Sequence, residues 1–309
     1  MLFASFRPSY IDLYRSGELK ERLDRLKEKL ESCDICPRKC KINRYEKAGT
    51  YCKTRLYPWV SSFGPHFGEE APLVGRMGSG TIFFTHCNLR CVFCQNYDIS
   101  QKGVGEEIDI ATLARIMLQL QEQGCHNINL VTPTHVVPQI VEALFIAVRE
   151  GLHIPLVYNS GGYDSEDTIR LLNGIIDIYM PDIKYSDDAH SKRYSQAPDY
   201  FEIAKKAIKE MHRQVGDLQI SDDGIAMRGL LVRHLVLPGG RAGTANVMEF
   251  LAEEISVHTY VNIMEQYRPC YNASKYPEIA RRITSEEFLE AMEIARKAGI
   301  YRIDGNVFM

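Results

Sequence analysis

No run of about 18 consecutive apolar residues occurs in this chain of 309 residues, so the sequence offers no candidate for a membrane-spanning helix. The N-terminal stretch MLFASFRPSYIDLYRSGELKERL lacks the clean apolar core of a secretory signal and carries charges instead, which leads us to expect a cytoplasmic protein. An excess of one charge is missing too. The formal net charge of -3 and a pI near 6.3 give no global pull toward nucleic acid or an anionic membrane, although a local basic groove is compatible with those totals. No repeat of fixed period and no low-complexity tract is visible, so no repeat architecture organises the chain. The most informative absence is a fourth thiol. FFTHCNLRCVFCQN, residues 83–96, carries Cys87, Cys91 and Cys94, whereas a closed zinc site or a ferredoxin-type cluster takes four protein ligands. Three thiols on one short loop leave a coordination position open, and an open position is where something other than protein binds.

What is present begins with nine cysteines, seven of them in two tight groups. In a reducing compartment such groups argue for metal ligation rather than disulfides. Cys125 and Cys270 stand apart, and each reads as a small buried hydrophobe. The length suits either two domains or one α/β barrel of about 200 to 250 residues with an appendage, and the pattern along the chain favours the second. Leu19, Leu23, Leu26 and Leu30 recur at helical spacing within residues 17–31 and predict an amphipathic helix. A stretch rich in Gly and Pro at 61–80 reads as a connection. We expect a division into 1–77, a helix and a four-cysteine metal-binding segment, and 78–309, the barrel.

Beyond that point, short runs rich in β-branched and aromatic residues recur at 81–85, 127–131, 154–158, 176–180, 230–237 and 259–264. Helical patterns separate them: one on Ile110, Leu113, Met117 and Leu120 ends at Gly124, and another on Val137, Ile140, Val141, Leu144 and Val148 ends at Gly151. A third follows Ser165, and 198–214 and 244–255 supply a fourth and fifth. Strands alternating with helices imply parallel βαβ crossovers, which either an open doubly wound sheet or a barrel satisfies. The cysteine trio follows the first of these strands, on the side where ligands gather in parallel α/β folds. Three thiolates can hold three irons of a 4Fe-4S cube and leave the fourth iron to an exogenous amine and carboxylate. A three-cysteine zinc site completed by His86 is the alternative, and it requires two adjacent residues to fold onto one metal.

The spacing of Cys87, Cys91 and Cys94, with Phe93 before the last thiol, resembles the CxxxCxxC signature of the radical S-adenosylmethionine (SAM) enzymes. The resemblance implies a 4Fe-4S cluster whose open iron chelates SAM, transfers an electron and splits the S-C5' bond to give a 5'-deoxyadenosyl radical, which abstracts a hydrogen atom. It implies a partial (β/α)6 TIM-like barrel, open on one side, behind a small cysteine-rich metal-binding segment. MPDIKYSDDAH and VRHLVLPGG further resemble segments of the glycyl-radical-enzyme activating enzymes, the group of pyruvate formate-lyase activating enzyme, over roughly residues 78–270. By that resemblance Phe93 packs near the adenine, or alternatively in the core. Asp182 and Lys184 face the SAM ribose and carboxylate region, or simply close the barrel mouth as a buried pair. Arg233 pairs with the SAM carboxylate, for which its planar fork is suited. Asn159 and Ser160 hydrogen-bond the sugar, or form a Gly-rich turn. Reduced flavodoxin or ferredoxin is the implied electron donor and a protein the implied substrate.

This chain departs from that pattern at Thr132–His135, where the activating enzymes carry a Gly-Gly-Glu-like segment, and at IMEQYRP, which would put Glu265, Gln266 and Tyr267 at the mouth. Rival readings are radical modification of a small molecule or of RNA and, in another class, an iron-sulfur electron carrier or binding module. In the second group Cys33, Cys36, Cys40 and Cys52, with Pro37 behind the second thiol, suit one closed site for zinc or an auxiliary iron-sulfur cluster. Lys39, Lys41 and Arg44 among them are expected on a solvated face, steering an acidic partner or keeping the segment soluble.

Overall fold

The computed structural model describes residues 6–305, so the first five residues of the charged N-terminal stretch lie outside it. Two short helices open the chain, α1 (Tyr10–Ser16) and α2 (Glu18–Glu28). Gly17 separates them in a left-handed conformation at φ 87, where its N–H caps α1 on the Tyr14 carbonyl. The strands are β1 (Trp59–His66), β2 (Ser79–Phe84), β3 (Glu106–Glu107), β4 (Ile128–Val131), β5 (Leu156–Ser160), β6 (Ile178–Pro181), β7 (Gln219–Ile220), β8 (Ala226–Leu235) and β9 (Tyr260–Met264). Between and after them run α3 (Ala71–Val74), α4 (Tyr97–Ser100), α5 (Ile110–Glu122), α6 (Val137–Arg149), α7 (Glu166–Leu171), α8 (Asp188–Ser195), α9 (Tyr200–Val215), α10 (Thr244–Phe250) and α11 (Ser285–Lys297).

Strands β2, β4, β5, β6, β8 and β9 pair side by side in that order, all parallel, with helices in the crossovers. Among the described residues β2 and β9 do not pair with each other, so the row of six stays unclosed: a partial (β/α)6 barrel. Side chains span the gap where backbone pairing does not. Glu70, in the loop after β1, accepts a hydrogen bond from Asn262 of β9 at 2.9 Å.

The stretch 61–80 is not a plain connection. Trp59–His66 is a strand, antiparallel to β2 with His66 opposite Ser79, and Ala71–Val74 is a short helix. Gly64 and Pro65 sit within β1, which has only the two-residue β3 on its outer side, and a proline is tolerated on such an edge. The third expected strand moves by two residues. Pro155 has no N–H to give a ladder, and β5 starts after it, so Asn159 and Ser160 end a strand instead of forming a turn. Helix α10 continues into one π-helical turn, Leu251–Ile255, within the stretch expected to be helical.

One apolar core runs through the molecule, from Tyr10, Leu19 and Leu26 of the N-terminal helices to Leu130, Leu156 and Val232 of the strands. The leucine stripe of α2 faces α6, and the Tyr10 hydroxyl donates to the Ile154 carbonyl at 2.7 Å. The N-terminal part is therefore packed as core. We expect Leu26→Ala, at a fully buried position, to cost about 2 to 5 kcal/mol in urea denaturation. A loss below about 1 kcal/mol would show that α2 is not held by the barrel.

Candidate functional site

The C-terminal ends of five parallel strands, together with the loop after β2, enclose a cavity of ≈ 220 Å³. Cys87, Cys91, Cys94 and Phe93 come from that loop, Asn159 and Ser160 from β5, Asp182 and Lys184 from the end of β6, and Arg233 from β8. All nine positions singled out on sequence grounds for this site thus line one cavity, at the end of the sheet where parallel α/β folds place ligands.

Cys91 is buried and Cys87 and Cys94 are half-buried; desolvation pushes Cys87 up to about 12, with the neighbouring Cys91 adding to the effect, and likewise raises Cys91 and Cys94. Each sulfur also meets a polar group. The Leu89 N–H donates to Cys87 Sγ at 3.3 Å, the Ser195 hydroxyl donates to Cys91 Sγ at 3.0 Å, and Ser100 Oγ stands 3.1 Å from Cys94 Sγ. Hydrogen bonds of this kind tune the potential of a thiolate-held cluster. His86 takes no part: it adopts a left-handed φ of 63, its ring lies against Trp59, and it does not line the cavity. Phe93 is both core and wall: it makes T-shaped contacts with Tyr185 and Tyr267 and lines the cavity.

Opposite the thiols, Asp182 binds two cations. Its carboxylate accepts from Lys184 Nζ and, at 2.8 Å, from Arg233 Nε. Burial alone would raise this carboxyl, but Arg233 and Lys184 hold it below the usual carboxylate range. Burial opposes the charge on Lys184, and Asp182 and Cys91 outweigh it to keep the amine strongly basic. The Arg233 fork also donates to Asn159 Oδ1 at 2.7 Å, and Glu69 and Glu70 stand 3.8 and 3.9 Å from it. Ser160 gives its hydroxyl to Asp164 at 2.6 Å, and that carboxylate also takes Thr134 and Tyr158. Burial raises Asp164, and these three donors oppose the rise.

Four residues outside the expected set shape this wall. Glu69 and Glu70 reach under Arg233 from the loop after β1, and no local motif marks them. The Tyr200 hydroxyl meets the carbonyls of Gly161 and Asp182 at 2.8 and 3.0 Å and receives the Lys184 N–H at 3.0 Å. His234, fully buried, sets Nδ1 at 2.7 Å from the Ile183 carbonyl and Nε2 at 3.0 Å from Thr244 Oγ1. A carbonyl only accepts, so Nδ1 carries the proton and Nε2 accepts from the threonine, which fixes a neutral tautomer. The histidine next to Arg233 in VRHLVLPGG was the available signal. Of Glu265, Gln266 and Tyr267, only Gln266 lines the cavity; Glu265 is exposed, and Tyr267 is core, its hydroxyl on the Ile279 carbonyl. Thr132 lines the wall in a left-handed conformation, φ 61, that threonine seldom adopts.

Cys33, Cys36, Cys40 and Cys52 converge around a second, small enclosed space that Arg44 and His135 also line. Arg44 is not on a solvated face: it is wholly buried, donating to the carbonyls of His135 and Arg55 at 2.7 Å each, while Lys39 and Lys41 are exposed. Burial pushes the Cys36 thiol up to about 12. Cys125 is buried as expected, whereas Cys270 is only half-buried. Among the described residues no three His, Cys, Asp or Glu side chains are gathered as the ligands of a single ion. Nor is any described helix long and apolar enough to cross a membrane.

The family model of the radical SAM superfamily matches residues 81–235, half of the chain. An uncharacterized protein of Methanocaldococcus jannaschii is 31% identical over 312 residues, covering 98% of this chain and 84% of that one. Among solved structures, HydG, a maturase of the FeFe-hydrogenase, gives a TM-score of 0.48 at 13% identity over 70% of this chain and 48% of its own. anSMEcpe with bound AdoMet gives 0.46 at 9% over 69% and 57%, and with AdoMet and Cp18Cys peptide 0.47 at 9% over 71% and 60%. The chain spans about half the length of the first of these structures and under two thirds of the other two.

His234 makes the mouth acid-sensitive. Burial lowers its pKa from 6.5 to about 4, against the opposing pull of the Ile183 carbonyl and Asp182. An unfolded chain takes up this proton near pH 6.5 and the folded chain only near pH 4, so the stability is complete above the first value and lost as pH falls toward the second. We expect the unfolding free energy from urea titrations to drop between pH 6.5 and 4.5 and the drop to be shallower in His234→Asn, by up to about 1.4 kcal/mol per pH unit. Parallel curves for the two proteins would mean that the ring is not held neutral.

Proposed function

Because the chain belongs to the radical SAM superfamily, we propose that Cys87, Cys91 and Cys94 hold a 4Fe-4S cluster and that SAM occupies the cavity beside it, so that the protein abstracts a hydrogen atom from its substrate. The observation that carries this reading is that three thiols and no fourth face one cavity at the mouth of an unclosed parallel barrel. The side chains suit both groups. The three thiols sit among hydrogen-bond donors, and the far wall presents Asp182 with the cations of Lys184 and Arg233, Glu69 and Glu70 standing behind the guanidinium. SAM carries a sulfonium, an ammonium and a carboxylate, and such a wall can accept each. When bound, the cluster and SAM supply reductive cleavage of the S-C5' bond.

The chain's own side chains do the positioning. Arg233 presents its fork to the SAM carboxylate, held in place by Asp182 and Asn159. Asn159 and Ser160 face the ribose, Asp182 and Lys184 fix the far end of the site, and Phe93 covers the adenine side. The Thr132 carbonyl or hydroxyl accepts from the SAM amine. On this reading residues 78–309 carry the reaction and residues 1–77 carry a second metal at Cys33, Cys36, Cys40 and Cys52. The substrate we favour is a protein, with the enzyme generating a glycyl radical in it. An unclosed barrel leaves room for a loop of another chain, which a closed one does not. Exposed Lys39 and Lys53, each next in sequence to a thiol of the N-terminal group, suit docking of an acidic donor such as reduced flavodoxin or ferredoxin.

Anaerobically reconstituted protein given dithionite and SAM should release 5'-deoxyadenosine and methionine. Cys91→Ala should abolish the release and lower the iron content by about four atoms per chain while the protein stays folded. Arg233→Lys should weaken SAM binding despite the retained charge, and Arg233→Ala should weaken it further, by about 1.5 to 3 kcal/mol, at constant iron. Unchanged iron in Cys91→Ala would exclude the ligand set. A fully reduced, iron-replete protein that binds SAM and yields no 5'-deoxyadenosine, with or without lysate from its native host, would exclude the reaction.

A further inference from the structure

The hydrogen bonds at the three thiols of the mouth are of two kinds. Cys87 Sγ receives a backbone N–H, from Leu89 at 3.3 Å; Asn88 Oδ1, 3.8 Å away, is an acceptor and offers a thiolate nothing. Cys91 and Cys94 instead each face a serine hydroxyl. A hydroxyl has one proton and two acceptor sites, so the direction of its proton is set by its other partner.

Ser195, the last residue of α8, is wholly buried. Its Oγ lies 3.0 Å from Cys91 Sγ and 2.8 Å from the Tyr185 hydroxyl. A thiolate only accepts, so the serine proton points at the sulfur and the serine oxygen takes the phenol proton. Both partners are held. The Tyr185 ring is wholly buried and T-shaped against Phe93 and Tyr200, with centroids 6.3 and 5.6 Å apart. The end of α8 grips the backbone on both sides of Cys91: the Arg90 N–H donates to the Ser195 carbonyl at 3.2 Å, and the Val92 N–H to the Tyr194 carbonyl at 2.8 Å.

Ser100, at the end of α4, repeats the arrangement with different residues. Its Oγ stands 3.1 Å from Cys94 Sγ and accepts from Gln101 Nε2 at 3.1 Å. The Gln101 amide is oriented in turn. Arg90 Nη1 donates to its Oε1 at 3.0 Å, and a guanidinium only donates, so the amide nitrogen is the end that meets Ser100 and the Leu89 carbonyl. The Arg90 guanidinium is itself tied to the Tyr51 carbonyl. A positive charge therefore stands behind the donor to Cys94, and a phenol behind the donor to Cys91.

We propose that Tyr185 and Gln101 are positioning residues: they fix the Ser195 and Ser100 hydroxyls as donors to Cys91 and Cys94 and thereby favour the reduced state of the cluster assigned to the trio, on which this inference rests. Reduction adds negative charge that the thiolate sulfurs share, and a hydrogen bond to sulfur is stronger to the more negative state. A second donor on the serine oxygen both orients the hydroxyl and polarises it, which strengthens the bond to sulfur. In the step affected, an external one-electron reductant of the flavodoxin or ferredoxin class is oxidised as the cluster is reduced. Every hydroxyl keeps its proton and no bond is broken.

The test is an anaerobic redox titration of the reconstituted chain without SAM, followed by EPR on the signal that Cys91→Ala lacks. All variants should keep the iron content of the unaltered chain. Ser195→Ala and Ser100→Ala should each lower the reduced-to-oxidised ratio at a fixed potential about tenfold, which is about 59 mV for one electron. Tyr185→Phe, which keeps the ring, and Gln101→Met, which keeps the length, should each lower it about threefold. Because each acts through its serine, Tyr185→Phe should change nothing further in Ser195→Ala, nor Gln101→Met in Ser100→Ala. Iron lost from a serine variant, an unshifted potential there, or a Tyr185→Phe or Gln101→Met shift that persists after its serine is removed overturns the inference and leaves the cluster of the unaltered chain in place. An unaltered chain with no signal beyond that of Cys91→Ala refutes the cluster assigned to the trio, and the inference with it.

Discussion

The mouth of the barrel depends on the carboxylate of Asp182. It ties Lys184 to Arg233, and its backbone carbonyl receives the Tyr200 hydroxyl, so one residue joins the thiol side of the cavity to the far wall. Burying three charges together seldom adds stability over an apolar alternative, because desolvation offsets most of the attraction. What the cluster supplies is position: a guanidinium fork and an ammonium held at fixed places in a site that would otherwise collapse or take up water. The backbone is shaped around it. Gly162 has φ +76, and a Cβ there would stand 2.0 Å from the Asp182 carbonyl oxygen, so the turn after β5 approaches β6 as closely as only glycine allows.

Charge balance explains why the far wall is more acidic than the motif residues suggest. Asp182 alone would be matched by either cation, and Glu69 and Glu70 bring further carboxylates to Arg233. Burial raises Glu69, with Arg233 opposing the rise. A ligand bearing both a sulfonium and an ammonium changes that balance in favour of the carboxylates. The same loop carries Glu70 to Asn262 of β9, so the residues that complete the electrostatics also bridge the unclosed side. Binding chemistry and the shape of the barrel are therefore linked through one short segment.

Much of this was legible in the sequence wherever the signal was periodic or short-range. The six parallel strands were visible as β-branched runs, the crossover helices as apolar stripes, and the trio as a spacing that leaves one ligand out. Signals that depend on distant packing were not legible. Strand β1 reads as a loop because Gly64 and Pro65 interrupt it, yet its edge position tolerates both. Arg44 sits between lysines and reads as solvated, and only the folded chain shows it enclosed. Glu69 and Glu70 carry no local pattern at all; their role comes from a loop that returns beneath β8.

The position of the N-terminal thiols carries a consequence for how the fold is maintained. A segment with so few apolar residues between Cys33 and Cys52 cannot generate its own core: beside Ile35, which joins the main core, its buried side chains are three of the four thiols, with Cys40 half-buried, and a guanidinium. It is fastened to the barrel by polar contacts, the Thr168 hydroxyl on the Ile35 carbonyl at 2.7 Å and Arg38 on Asn88 at 2.8 Å. A metal group there would supply what apolar burial does not, since free energy of ligation becomes free energy of folding. Because Asn88 belongs to the loop of the trio, ordering the segment also orders the backbone that presents Cys87. The order of the N-terminal segment and the geometry of the trio are thus coupled through the Arg38–Asn88 contact.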